Sequence, residues 1–118
     1  MKIEFLYFDG CPNHQKAYQL VQQILREKKI ETGVDRIEIK DDVDAARHKF
    51  VGSPTIRIDG IDVDPVTDDR AYAKTCRVYL VSGKLSGLPT RAMIENAIRA
   101  AKRGMRSENT PKTFGSGT

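Results

Sequence analysis

At 118 residues the chain is the length of one ordinary domain, and its 39% apolar content is enough for a core without disulfide or metal staples. The net charge of +4 does not describe a nucleic-acid surface: Arg99, Lys102, Arg103, Arg106 and Lys112 gather at the end of the last helical pattern and in the tail, while the middle is acidic. No apolar run has the length of a membrane span, and the first residues form a strand pattern rather than an export leader, so a cytoplasmic protein without membrane contact is expected.

Residues 3–8 are apolar and aromatic and predict a buried or half-buried first strand. Asp9-Gly10 is turn chemistry. Pro12 suits a first helical turn, where a missing N–H costs nothing. Ala17, Leu20, Val21, Ile24 and Leu25 then recur at helical spacing and form one apolar stripe. Cys11 is thereby placed where a strand delivers the chain to a helix N-terminus, whose free N–H groups and dipole favour a thiolate.

Lys28, Lys29 and Thr32-Gly33 end this helix, and Val34, Ile37 and Ile39 predict a second strand, polar enough for a sheet edge. Asp41-Asp42 caps a short helix through Val43, Ala46 and Phe50, stopped by Gly52. Strand, helix, strand in this order implies a right-handed parallel crossover. Residues 55–58 alternate as a β-branched strand opened by Pro54, and Asp59-Gly60 turns the chain into an antiparallel return over 61–63. Residues 64–75 read as a loop with a helical turn near 69–74. Residues 76–81 have strand composition, and residues 82–88 read as a loop. Pro89-Thr90 opens a final amphipathic helix carrying Met93, Ile94, Ala97, Ile98 and Ala101, with Gly104 as its stop. The polar residues 106–118 read as a disordered tail, which leaves a single domain over 1–104 and a tail over 105–118.

This order of elements resembles the thioredoxin-like superfamily. Cys11 matches the family's redox motif position, and Ser53-Pro54-Thr55 resembles its cis-proline loop beside the reactive cysteine. More narrowly, Gly-Ser-Pro-Thr-Ile-Arg at 52–57, Asp-Val-Asp-Pro at 62–65 and Cys-Arg-x-Tyr at 76–79 are similar to small bacterial thioredoxin-fold proteins with a Cys-x-x-His variant motif, often labelled alkylmercury-lyase-like. The resemblance implies an α/β fold with a central mixed four-stranded sheet flanked by helices, and an extra short strand at 76–81. It also implies that the backbone of Ser53, presented by a cis Pro54 and followed by Thr55, pairs with an extended thiol or disulfide substrate. The plainer account is a proline that only starts a strand.

His14 stands where the family's second motif cysteine would be, so the usual Cys-x-x-Cys disulfide cannot close. Three residues along a helix, His14 can share a face with Cys11 and exchange a proton with it; otherwise it is a solvated histidine. Cys76 either lies close enough to supply the missing thiol, which needs Cα atoms within about 7 Å, or is a small buried hydrophobe. With Cys11 and His14 it would make a three-ligand set for a soft metal. Arg77 suits an anionic partner such as glutathione, or else a surface salt bridge, and Tyr79 would help to shape the site. His48 and the acids Asp62, Asp64, Asp68 and Asp69 read as solvated. The expected activity is thiol–disulfide exchange or reduction without a cofactor, with Cys11 attacking, His14 tuning it, and Cys76 or a glutathione-type partner resolving. The alternative is a non-catalytic binding module for a soft metal or a protein partner. Organomercurial cleavage by Cys11, Cys76 and a nearby acid is a third reading.

Overall fold

Alternating burial along the first strand decides how the rest of the chain stacks. In the computed structural model, which describes residues 1–65 and 72–109, β1 (Ile3–Tyr7) buries Ile3 and Phe5 on one face and Leu6 on the other. A strand buried on both faces must lie inside a sheet covered on both sides. The sheet is mixed, with order β2-β1-β3-β4. β2 (Val34–Glu38) runs parallel to β1 from one edge, pairing Ile3 with Val34 and Tyr7 with Glu38. β3 (Thr55–Ile58) is antiparallel to β1 on the other side, and β4 (Ile61–Asp62) returns antiparallel to β3. The turn between them is Asp59-Gly60, both at positive φ (53° and 83°), as a tight two-residue hairpin requires.

Two helices cover the Phe5 face. α1 (His14–Glu27) contributes Ala17, Val21, Ile24 and Leu25, and α3 (Arg91–Asn109) contributes Ile94 and Ile98; both pack against Ile3, Phe5, Ile56 and Ile58. Arg91 of α3 joins the two helices through an ion pair with Glu27, and also pairs at 2.9 Å with Glu95 of its own helix. The opposite face is covered by α2 (Asp42–His48), where Leu6, Ile39, Ala45 and Phe50 form a second, smaller cluster. Asp41 caps α2 by accepting from the Asp44 N–H at 2.8 Å, as its sequence predicts. The other end is closed by Arg57 of β3, which donates to the carbonyls of His48 (2.7 Å) and Lys49 (2.9 Å).

Four boundaries differ from the sequence reading. α1 begins at His14 rather than Pro12, because the Cys11 N–H bonds back to the Phe8 carbonyl at 3.1 Å and closes a separate turn; the first helical bond is Ala17 N–H to Asn13 O. α2 ends before Phe50, with Lys49 left-handed (φ 53°) so that Phe50 can turn into the core. Residues 82–88, expected to be a loop, contain half of a hairpin: β5 (Tyr79–Val81) pairs with β6 (Lys84–Ser86) across Ser82-Gly83, both at positive φ. α3 runs through Gly104 to Asn109, since one glycine costs a helix only about 1 kcal/mol. It therefore crosses the expected domain boundary. Of the helical turn expected near 69–74, residues 69–71 lie outside the described residues and residues 72–74 are not helical; most of the tail also lies outside the described residues.

Phe5 is fully buried between the sheet and both covering helices. Truncation to alanine is expected to destabilise the protein by about 3–5 kcal/mol, measured as a lower denaturation midpoint in urea at unchanged slope.

Candidate functional site

The site forms where the end of β1, the loop before β3 and the strand leading into β5 meet. The Ser53–Pro54 peptide bond is cis. Ser53 is buried, and both of its backbone groups are paired: its N–H donates to Thr75 O at 2.8 Å and its carbonyl accepts from Arg77 N–H at 2.9 Å. This is an isolated parallel bridge between Ser53 and Cys76. The edge on which an incoming extended substrate was expected to pair is thus occupied by the chain's own residues 75–77. The Ser53 hydroxyl accepts from the Phe8 N–H at 3.4 Å, which fastens the loop to the end of β1.

This bridge brings the two cysteines together. The Cys11 thiol donates to the Ser53 carbonyl at 3.5 Å, and Cys76 is the bridge partner of that same residue, so both cysteines lie against Ser53. Their environments are opposite: Cys11 is 3% exposed, whereas Cys76 is exposed. Partial desolvation raises the Cys76 pKa, and the charge and hydrogen bonding of Cys11 raise it further. Cys11 itself sits two residues ahead of Asn13, the N-cap of α1, and not in the first helical turn. The expectation of a reachable Cys11 sulfur is not met: the residue is buried.

His14 opens α1 and is buried, with its ring 4.8 Å from that of Tyr7. Among the described residues its Nδ1 has no hydrogen-bond partner, and the Cys11 thiol donates to Ser53. Of the two expectations, a partner of Cys11 or a solvated side chain, the solvated one gives way to a buried histidine stacked on Tyr7, and no hydrogen bond joins it to Cys11 among the described residues. No three His, Cys, Asp or Glu side chains converge as a metal-binding group among the described residues, so Cys11, His14 and Cys76 do not form the soft-metal set.

Arg77 has a different place from either expectation. It is neither a surface salt bridge nor open to an anionic substrate: at 2% exposure it lies under the loop, paired with Asp62 at 2.7 Å, donating to Thr55 Oγ1 at 3.3 Å and to the Asp64 carbonyl. Its guanidinium stacks 4.4 Å from the Tyr79 ring, and the Tyr79 hydroxyl donates to Pro54 O at 2.6 Å. Burial pushes the Tyr79 phenol far above its usual range, so it stays a donor. The Thr55 hydroxyl is likewise engaged, donating to Gly52 O. Asp62, expected to be solvated, is the counter-ion of a buried cation, Asp64 contributes only its backbone carbonyl, and Asp68 and Asp69 lie outside the described residues. Gly52 (φ +139°) permits the close approach: a Cβ there would stand 2.7 Å from Arg77 Cα. Sequence reasoning missed this role, for which the nearness of Asp62 and Asp64 to a strand-borne arginine was the available signal. It also missed Arg36 of β2, stacked 5.0 Å from the Tyr7 ring and 4.5 Å from that of Tyr18 beside His14.

No family model, curated protein or solved structure matches this chain in comparison. Among the described residues no helix is long and apolar enough to cross a membrane.

Two outcomes are expected from this geometry. Gly52→Ala should lower stability by roughly 1–3 kcal/mol and speed alkylation of Cys11 as residues 75–77 are pushed away, both read on the purified variant. Because the Cys76 pKa is raised, its alkylation rate in the wild type should rise at a pH above that of a free thiol. Cys11→Ser should bring that rise part of the way down, the desolvation remaining; an unchanged profile would mean that the sulfurs do not interact.

Proposed function

We propose that this is a thioredoxin-like thiol–disulfide exchange protein whose redox couple is Cys11 and Cys76. The observation that carries the reading is that both cysteines lie against Ser53, the residue of the cis Ser53–Pro54 bond: the Cys11 thiol donates to its carbonyl and Cys76 is its bridge partner. The element order, with the first cysteine after β1 and the proline ahead of β3, supports the same family reading. The chemistry needs no cofactor. Two protein thiols pass two electrons to an external disulfide, such as a protein disulfide or oxidised glutathione; one S–S bond breaks there and one forms between Cys11 and Cys76. The two protons lost by the cysteines balance those gained by the released thiols. In this arrangement Cys76 takes the part that the second motif cysteine plays elsewhere, and His14 leaves that part empty. Arg77, Tyr79 and Thr55 act as positioning residues that hold the Cys76 segment and the proline loop together.

A second reading, a binding module for a protein partner, is favoured by the apolar side chains left exposed on the adjoining hairpin: Val78 (50%), Leu80 (65%) and Leu85 (77%).

Treatment of the reduced protein with excess oxidised glutathione discriminates the two. Exchange predicts a chain two hydrogens lighter with one internal bridge between Cys11 and Cys76, and with Cys11→Ser or Cys76→Ser the reaction stops at a glutathione adduct. A wild-type chain that carries glutathione without closing the bridge would leave the binding module as the better account.

A further inference from the structure

Resting on the exchange reading, we infer that the order of the two sulfurs is inverted with respect to the motif: the exposed Cys76 meets the external disulfide first, and the buried Cys11 resolves it. The argument is one of access. Exchange requires an incoming sulfur to approach the attacking thiolate in line with the bond that breaks. Cys11 offers no such approach, being 3% exposed, with its thiol directed at the Ser53 carbonyl. Residues 75–77 also take up both backbone groups of Ser53, so a substrate chain cannot pair there and lay its disulfide over Cys11. Cys76 is exposed on the strand that does this blocking. A raised pKa reduces its thiolate fraction but makes the thiolate that forms a better nucleophile, so it does not disqualify the residue.

The steps balance. Cys76 gives its proton to solvent and attacks one sulfur of the external disulfide, forming a mixed disulfide and expelling the first thiolate, which is protonated by water. Cys11 then attacks the Cys76 sulfur from inside. The mixed disulfide breaks, the second external thiol leaves with the proton that Cys11 gives up, and the Cys11–Cys76 bond remains. The external disulfide has been reduced by two electrons and the protein oxidised by two. The resolving attack is local, since both cysteines are held against Ser53.

The test is competitive labelling of the reduced wild-type chain with substoichiometric iodoacetamide, followed by peptide mapping. Cys76 should carry about tenfold more label than Cys11, and label that is equal or greater on Cys11 overturns the assignment. With oxidised glutathione, Cys11→Ser should accumulate a mixed disulfide on Cys76, while Cys76→Ser should react about tenfold more slowly than Cys11→Ser. Cys11→Ala replaces the serine variant if a hydroxyl at that buried position prevents folding. The two failures are separable: a bridge that closes while Cys11 takes the first label removes the inverted order alone, whereas no bridge removes the exchange reading and the order with it.

Discussion

Two backbone hydrogen bonds, from Ser53 to Thr75 and from Arg77 to Ser53, hold the site together. Ser53 is buried, and a buried N–H or carbonyl left without a partner costs more than a made hydrogen bond contributes. The loop before β3 needs something to pair with, and the chain supplies it from residues 75–77. Cys76 arrives at Cys11 as a consequence of that requirement. The same approach buries a guanidinium, which Asp62 neutralises and whose terminal nitrogens donate to Thr55 and the Asp64 carbonyl, while its Nε has no partner among the described residues. Glycine at position 52 is what lets the backbones come this close.

The two sulfurs are held by unlike devices. Cys11 is fixed by the turn that returns its N–H to Phe8 and by its bond to the Ser53 carbonyl, both inside the protein. Cys76 is fixed by its neighbours in sequence, whose backbone groups are bonded while its own side chain stays in the open. A side chain on a segment that is pinned on either side keeps its position without being enclosed. The helix that follows Cys11 starts too late to cradle the sulfur, and its first residue, His14, turns to the Tyr7 ring instead.

What could be read from the sequence was local. The strand over residues 3–8, the apolar stripe of α1, the Asp41 cap and the Asp59-Gly60 hairpin follow from periodicity and turn chemistry within a few residues, and each is present. The polar second strand does lie at a sheet edge. The proline loop beside Cys11 was named from motifs, and Pro54 is cis. What escaped depended on partners far along the chain. Cys11 is held by the carbonyl of Ser53, and Arg77 by the Asp62 carboxylate and the Asp64 carbonyl. The β5–β6 hairpin escapes for a local reason: in sequence Ser82-Gly83 reads as one of several breakers and not as a turn between two short strands.

The outer strands of the four-stranded sheet bear on how copies of this chain can meet. β2 puts Asp35, Arg36 and Glu38 on its five-residue length, and β4, at the opposite margin, is two residues long. A rim that is charged on one flank and stunted on the other makes a poor template for a neighbour's strand. Self-association through a continuous sheet, with the fibrous growth to which it can lead, is therefore disfavoured by the architecture itself.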